Sequence, residues 1–294
     1  MLLNDEAWIP NLAKSGLSLA EARDYYNMGC VEIMVQGRQP QWISLVKGVD
    51  FPGIVELVLS NGRGNLAGET GPQTGQLADL ASFEDFLGAY LEQLRHRVAS
   101  LAEQSAERDD LWKESYDPFS SMLIDGCLAN GADSYHGGTS TRPSRAVGGF
   151  GLGTAADSLS AVRRFVYEEN RFTLEELVRV LGQDYRGAEE TRLMLERGTP
   201  AFGNDDDFVD EIAARVFEDF TAAVHALNDP HLPHRFVTHF FSYTRHVNMG
   251  EIISATPNGR HARAAMSDAL GATQGVSGAL RFTKNVVGDG YRAH

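Results

Sequence analysis

Ala22-Arg-Asp-Tyr-Tyr-Asn-Met-Gly-Cys-Val-Glu32 is the stretch on which the reading of the fold turns. Just upstream, Ser18-Leu-Ala-Glu21 has the pattern of a capping box, in which the serine and glutamate side chains satisfy free N–H groups at a helix start. The helix it opens is predicted to stop at Gly29. Val31 to Val35 is apolar and carries β-branched residues, which predicts a strand. A spacing of two in an extended chain puts Cys30 and Glu32 on one face. There, a thiol and a carboxyl pair a sulfur reagent with an acid/base group. The same two residues also read as a small buried hydrophobe and a solvated strand acid. Spacing alone leaves both readings open.

Working outward, Ser82-Phe-Glu-Asp85 opens a long amphipathic stretch to about Glu107. Its stripe of Phe83, Phe86, Leu87, Tyr90, Leu91 and Leu94 reads as core packing. Thr173-Leu-Glu-Glu176 opens a further helix, and Asp207 to Leu227 reads as another long one. Phe236 to Tyr243 is aromatic and strand-prone. Short strands between helices predict α/β layering around a mainly parallel sheet. The glycine-rich run from Gly126 to Gly153 lacks either period and reads as an ordered functional loop or a linker, the former favoured by Asp125, Asp133, Tyr135 and His136. Within it, Gly149-Phe-Gly-Leu-Gly153 reads as a tight structural turn, without nucleotide-binding spacing.

The chain of 294 residues is long enough for a sizeable core, with 43% hydrophobic and 22% charged residues. A net charge of −14 argues against a nucleic-acid surface. Two cysteines make no disulfide framework and fit a reducing compartment, so a cytoplasmic location is expected. The first residues are acidic where a signal peptide is basic, and no apolar run has membrane-spanning length. Asp205-Asp-Asp207 suits a helix N-terminus better than a cation site. His231, His234, His239 and His246 lack a zinc-helix spacing, so no metal is expected. Cys127 reads as structural.

Five motifs occur in sequence: Asn4-Asp-Glu-Ala-Trp-Ile-Pro10; the stretch ending Gly29-Cys-Val-Glu32; Asp125-Gly-Cys-Leu-Ala-Asn-Gly-Ala-Asp133 with His136-Gly-Gly-Thr139; Phe202-Gly-Asn-Asp-Asp-Asp-Phe-Val-Asp210; and Ser254-Ala-Thr-Pro-Asn-Gly-Arg260. In this order they resemble the glycyl radical enzymes, the pyruvate formate-lyase/glycerol dehydratase family. The resemblance runs from Asn4 to about Gly275. It implies part of a ten-stranded α/β barrel, with residues 1–294 forming its central to C-terminal portion. It also implies radical chemistry, with Cys30 as the thiyl-forming cysteine and Glu32 as the acid/base. The family uses a protein-based glycyl radical installed by a radical S-adenosylmethionine activating enzyme. A small polar substrate and a possible homodimer go with it.

Pyruvate formate-lyase proper uses two adjacent cysteines; here Gly29-Cys30-Val31 holds one. That favours the eliminase branch of dehydratases and C–N, C–S or C–C lyases, with formate C-acetyltransferase-like activity as the alternative within the family. Where diol dehydratases have Trp-His-Asp, this chain has Trp42-Ile43-Ser44, which counts against diols. Phe241 stands where glycerol dehydratase has tyrosine. His239 and Arg245 are expected on that same late strand, facing an anionic substrate. The family's Arg-Val-x-Gly-Tyr radical loop has no counterpart; Val287-Gly-Asp-Gly-Tyr291 lacks its arginine and spacing. The radical domain is therefore expected to be absent from this chain, with activity depending on that loop being supplied. The non-enzymatic alternative is a remnant or pseudoenzyme that binds ligand without chemistry.

Overall fold

A computed structural model describes residues 5–14, 17–28, 32–38, 44–142, 144–232, 234–240 and 244–273. The chain opens with helices α1 (Asp5–Lys14) and α2 (Leu19–Arg23). The predicted capping box forms: Ser18 N–H donates to Glu21 Oε2 at 2.8 Å and Glu21 N–H to Ser18 Oγ at 3.2 Å. The helix ends at Arg23 rather than Gly29, because Tyr25–Met28 (β1) pairs antiparallel with Glu32–Val35 (β2). Two adjacent tyrosines favour the pleated surface, and that pairing overrides the continuation of a short helix.

Strand β3 (Ser44–Asp50) follows, then α3 (Phe51–Leu59), α4 (Phe83–Lys113), α5 (Pro118–Leu123) and α6 (Cys127–Asn130). Next come β4 (Ser144–Phe150) and α7 (Leu152–Val162), the latter extended by a π-turn segment over Arg163–Glu168. Helices α8 (Leu174–Gly182), α9 (Glu189–Arg197) and α10 (Asp207–Ala226) precede β5 (Arg235–His239) and α11 (Arg245–Gly250). Strands β3, β4 and β5 are parallel and lie side by side in chain order, each joined to the next through helices. That is the α/β layering expected from the alternation of elements.

The run from Gly126 to Gly153 is not one loop. It contains β4, the middle strand, and the start of α7. Alternation is invisible there because glycines stand where aromatic rings need room. A Cβ on Gly148 would lie 3.1 Å from the Phe150 ring, and one on Gly149 2.6 Å from Phe240 and 2.9 Å from Phe51. The rings fill both faces of the strand, and the glycines let them approach.

One face of the sheet carries α3, α7 and α10. Val49, Val147, Phe236 and the rings of Phe51, Phe217 and Phe220 form its core. Phe51 meets Phe220 edge-on at 5.2 Å, and Phe217 stacks on Phe240 at 5.3 Å. Every residue of α7 is buried. Tyr90 of α4 is buried and donates its hydroxyl to the Phe51 carbonyl at 3.0 Å, tying α4 to the end of β3. Tyr90→Phe is expected to cost about 1 kcal/mol in urea unfolding, because only that bond is lost. An unchanged midpoint would mean the bond contributes nothing.

Candidate active site

The hairpin β1–β2 is the element that carries the thiol. Its pairs run Tyr25–Val35, Tyr26–Met34, Asn27–Ile33 and Met28–Glu32. Cys30 falls among Gly29–Val31, the three residues between the last pair, which lie outside the described residues. The strand thus begins at Glu32, one residue later than predicted. Ile33 and Val35 point to one side, where they pack with Leu12, Leu17, Ala22 and Tyr25 from the base of the unit. Period-2 alternation puts Met34 on the other side.

The late-strand candidates separate. His239 is the last residue of β5 and is half-buried. By alternation it lies on the sheet face opposite the core-packed Phe236, the face free of α3, α7 and α10. Phe241 lies outside the described residues. Arg245 does not share the strand with His239: it is exposed and opens α11, where the chain turns through Thr244 at φ 52°. Arg235, four residues before His239, shares its face and donates to Ser144 Oγ at 3.1 Å. Burial, and then the charge of Arg142, lowers the pKa of its guanidinium. Nothing in the sequence pattern singled it out.

The other motifs build the frame. Phe202 of the Phe-Gly-Asn-Asp-Asp-Asp run is buried, and its N–H donates to Asp157 Oδ1 of α7 at 2.7 Å. Thr273 Oγ1 donates to the other oxygen of the same carboxylate. Asp206 caps α10, with its carboxylate accepting the Phe208 N–H at 3.0 Å. That is the helix-start role expected for the acidic run. In the Thr-Pro-Asn-Gly-Arg turn, Arg260 donates to the carbonyls of Ser254 at 2.7 Å and Gly250 at 2.9 Å. Desolvation pulls its pKa down to about 10. Tyr185 donates to the Thr256 carbonyl at 2.6 Å, and Glu56 of α3 accepts the Ser254 N–H. Asp133 gathers the N–H groups of Asp117 and Tyr135 and the Ser121 hydroxyl. Cys127 is 3% exposed, and burial pushes its thiol up, as suits a structural cysteine. Two buried aspartates escaped the sequence reading: burial raises both Asp50, the cap of α3, and Asp157 to about 7.

A cavity of about 450 Å³ opens beside the Thr-Pro-Asn-Gly-Arg turn, lined by Thr154, Glu196, His246, Arg260, Asp268 and Thr273 among others. Among the described residues, no group of three His, Cys, Asp or Glu side chains is placed to hold a metal ion, and no helix is long and apolar enough to cross a membrane.

Comparison with known proteins gives one consistent result. Residues 1–250 match the family model described as pyruvate formate lyase-like. The chain is 31% identical to isethionate sulfite-lyase from Nitratidesulfovibrio vulgaris over 282 residues, covering 94% of this chain and 33% of that enzyme. It is 28% identical to trans-4-hydroxy-L-proline dehydratase from Clostridioides difficile, over 92% of this chain and 34% of the relative. Among solved structures, the B12-independent glycerol dehydratase from Clostridium butyricum, with glycerol bound, superposes with a TM-score of 0.82 at 30% identity. That match covers 90% of this chain and 33% of the enzyme. The chain therefore spans about a third of the length of the relatives it matches.

Proposed function

The chain belongs to the pyruvate formate lyase-like family of glycyl radical enzymes, whose α/β barrel it shares in part, and from that premise we propose that it carries the reaction centre of an eliminase. Cys30 is the hydrogen-atom carrier and Glu32 the proton carrier. The observation that supports this most is the β1–β2 hairpin. It closes over three residues with Cys30 in their middle and starts its return strand at Glu32. The relatives named above include two dehydratases and a sulfite-lyase, and the single cysteine agrees with them.

A glycyl radical supplies the hydrogen-atom vacancy at the Cys30 sulfur. The sulfur then takes a hydrogen atom from a substrate carbon. Glu32 accepts a proton from a polar group on that carbon. The leaving group departs from the neighbouring carbon, and the thiol returns its hydrogen to the product radical. A carboxylate can make this exchange, serving as base and then as acid. The substrate is a small polar molecule with a leaving group one carbon from the site of abstraction. The partner required is a radical S-adenosylmethionine activating enzyme.

The test combines the chain, the activating enzyme and a polypeptide bearing the radical loop without oxygen. Isethionate, trans-4-hydroxy-L-proline, glycerol and 1,2-propanediol are offered in turn. Product from at least one of them, with a glycyl radical signal in electron paramagnetic resonance, is the expected result. A radical signal with no product from any of them would reject this substrate class. Glu32→Gln is expected to lower kcat by about 10²–10⁴-fold, the usual contribution of a positioned acid/base group. A kcat within twofold of the parent enzyme would remove Glu32 from the proton path.

A further inference from the structure

The hairpin needs a fixed departure angle, and one side chain is placed to set it. Arg38 lies three residues beyond the end of β2. Its Nη2 reaches Glu21 Oε1 of α2 at 2.6 Å, and its Nη1 pairs with the Asp125 carboxylate. The backbone is tied at the same point. Asp125 N–H donates to the Gly37 carbonyl at 2.7 Å, and Thr141 Oγ1 to the Arg38 carbonyl at 2.7 Å. One cation thus joins the helix before the hairpin to the Asp125–Thr141 segment that leads into β4.

The hairpin unit has a small core of its own, made by Leu12, Leu17, Ala22 and Val35, apart from the main one. That core holds the base of the hairpin, at the Tyr25–Val35 pair. The last pair, Met28–Glu32, is three pairs away, about 10 Å at the rise of an extended chain, and Cys30 lies in the sequence between its two members. A small rotation at the base is a displacement of ångström size at the tip. Arg38 is about a third exposed, so its ion pairs add little to stability. Their value is in geometry, where an error of about 1 Å can cost on the order of 10²-fold in rate.

We propose that Arg38, clamped between Glu21 and Asp125, is a positioning residue that fixes where the hairpin presents Cys30; the idea rests on Cys30 being the reactive thiol. The test reads the thiol itself, on the full chain without oxygen. Iodoacetamide labelling of the Cys30 and Cys127 peptides is followed by mass spectrometry across pH. Arg38→Ala is expected to change the Cys30 labelling rate at a given pH by at least about fivefold, since thiol reactivity follows local field and access. Cys127 labelling and the melting temperature stay as they were. Arg38→Lys restores part of the parent profile, and Asp125→Asn has no further effect once Arg38 is gone. A Cys30 profile unchanged within twofold in Arg38→Ala overturns the proposal. So does full additivity of Arg38→Ala with Asp125→Asn, because the two then act separately. Should Arg38→Ala loosen Cys127 as well, Asp125→Asn decides alone: a change confined to Cys30 supports the clamp, and none overturns it. Labelling needs no turnover, so the clamp and the eliminase reading fail separately.

Discussion

Cys30→Ser is expected to reduce turnover of the activated enzyme by on the order of 10⁴-fold or more, as when the sole covalent group of a catalytic unit is removed. The substitution changes one atom. It leaves size and hydrogen bonding nearly intact, but an O–H bond is too strong for an alkoxyl oxygen to take part in reversible hydrogen exchange with carbon. The radical signal should still be installed, because that step belongs to the activating enzyme and the radical loop. Signal without product is the specific signature. Cys127→Ser is the control and should keep turnover, since Cys127 is buried in α6 with its thiol held protonated. Residual turnover above a few per cent in Cys30→Ser, with Cys127→Ser inactive, would exchange the two assignments.

The legible parts of the sequence were those where one local rule acts alone. The capping boxes at Ser18 and Thr173 form as written, because each needs only its own four residues. The stripe from Phe83 to Leu94 lies on one long helix in the core. The motif order gave the family, which single residues did not. What stayed hidden depends on residues distant in sequence. Strand β4 looks like a loop until Phe150, Phe51 and Phe240 are seen to occupy the space its glycines leave. The helix predicted to reach Gly29 ends early because Tyr25 and Tyr26 find partners ten and eight residues on, in Val35 and Met34. Arg245 parts from His239 because the chain turns at Thr244. Of the proposed site, Glu32 is placed at the start of β2 and His239 at the end of β5, whereas Cys30 and Phe241 lie outside the described residues. The frame that holds the hairpin, through Arg38, Asp125 and Thr141, joins positions about a hundred residues apart and has no signature in any short window.

Asp157→Asn is expected to stabilise the protein above neutral pH and to leave it unchanged in acid. Asp157 is buried on α7, and desolvation lifts its pKa to about 7 from an ordinary 3.8. Its two hydrogen bonds, from Phe202 N–H and Thr273 Oγ1, pull the other way and do not win. The sign follows from proton counting. Between about pH 4 and 7 the folded protein holds a proton that the unfolded chain has lost, so stability falls as pH rises through that window and is level above it. A rise of about three units corresponds to about 4 kcal/mol. Asp50 is raised to about 7 by burial and then by Glu69, and acts in the same direction. Asparagine removes the charge at position 157 but keeps the contacts. Its carbonyl still accepts from Phe202, and its amide can donate to the Thr273 hydroxyl. Urea unfolding at pH 4.5 and 8 reads the difference. The gain should appear at pH 8 and shrink towards zero at pH 4.5, with the Asp50 part of the slope remaining. An equal difference at both pH values would mean the carboxylate is not the group that titrates. Asp157→Ala separates charge from contact. It also removes the burden of the charge, but it strips the buried Phe202 N–H of its acceptor, at about 1–3 kcal/mol. Alanine should therefore be the less stable of the two variants at every pH, with the same loss of slope. If the two variants coincide, the tie from α7 to the Phe-Gly-Asn turn contributes nothing to holding that turn in place.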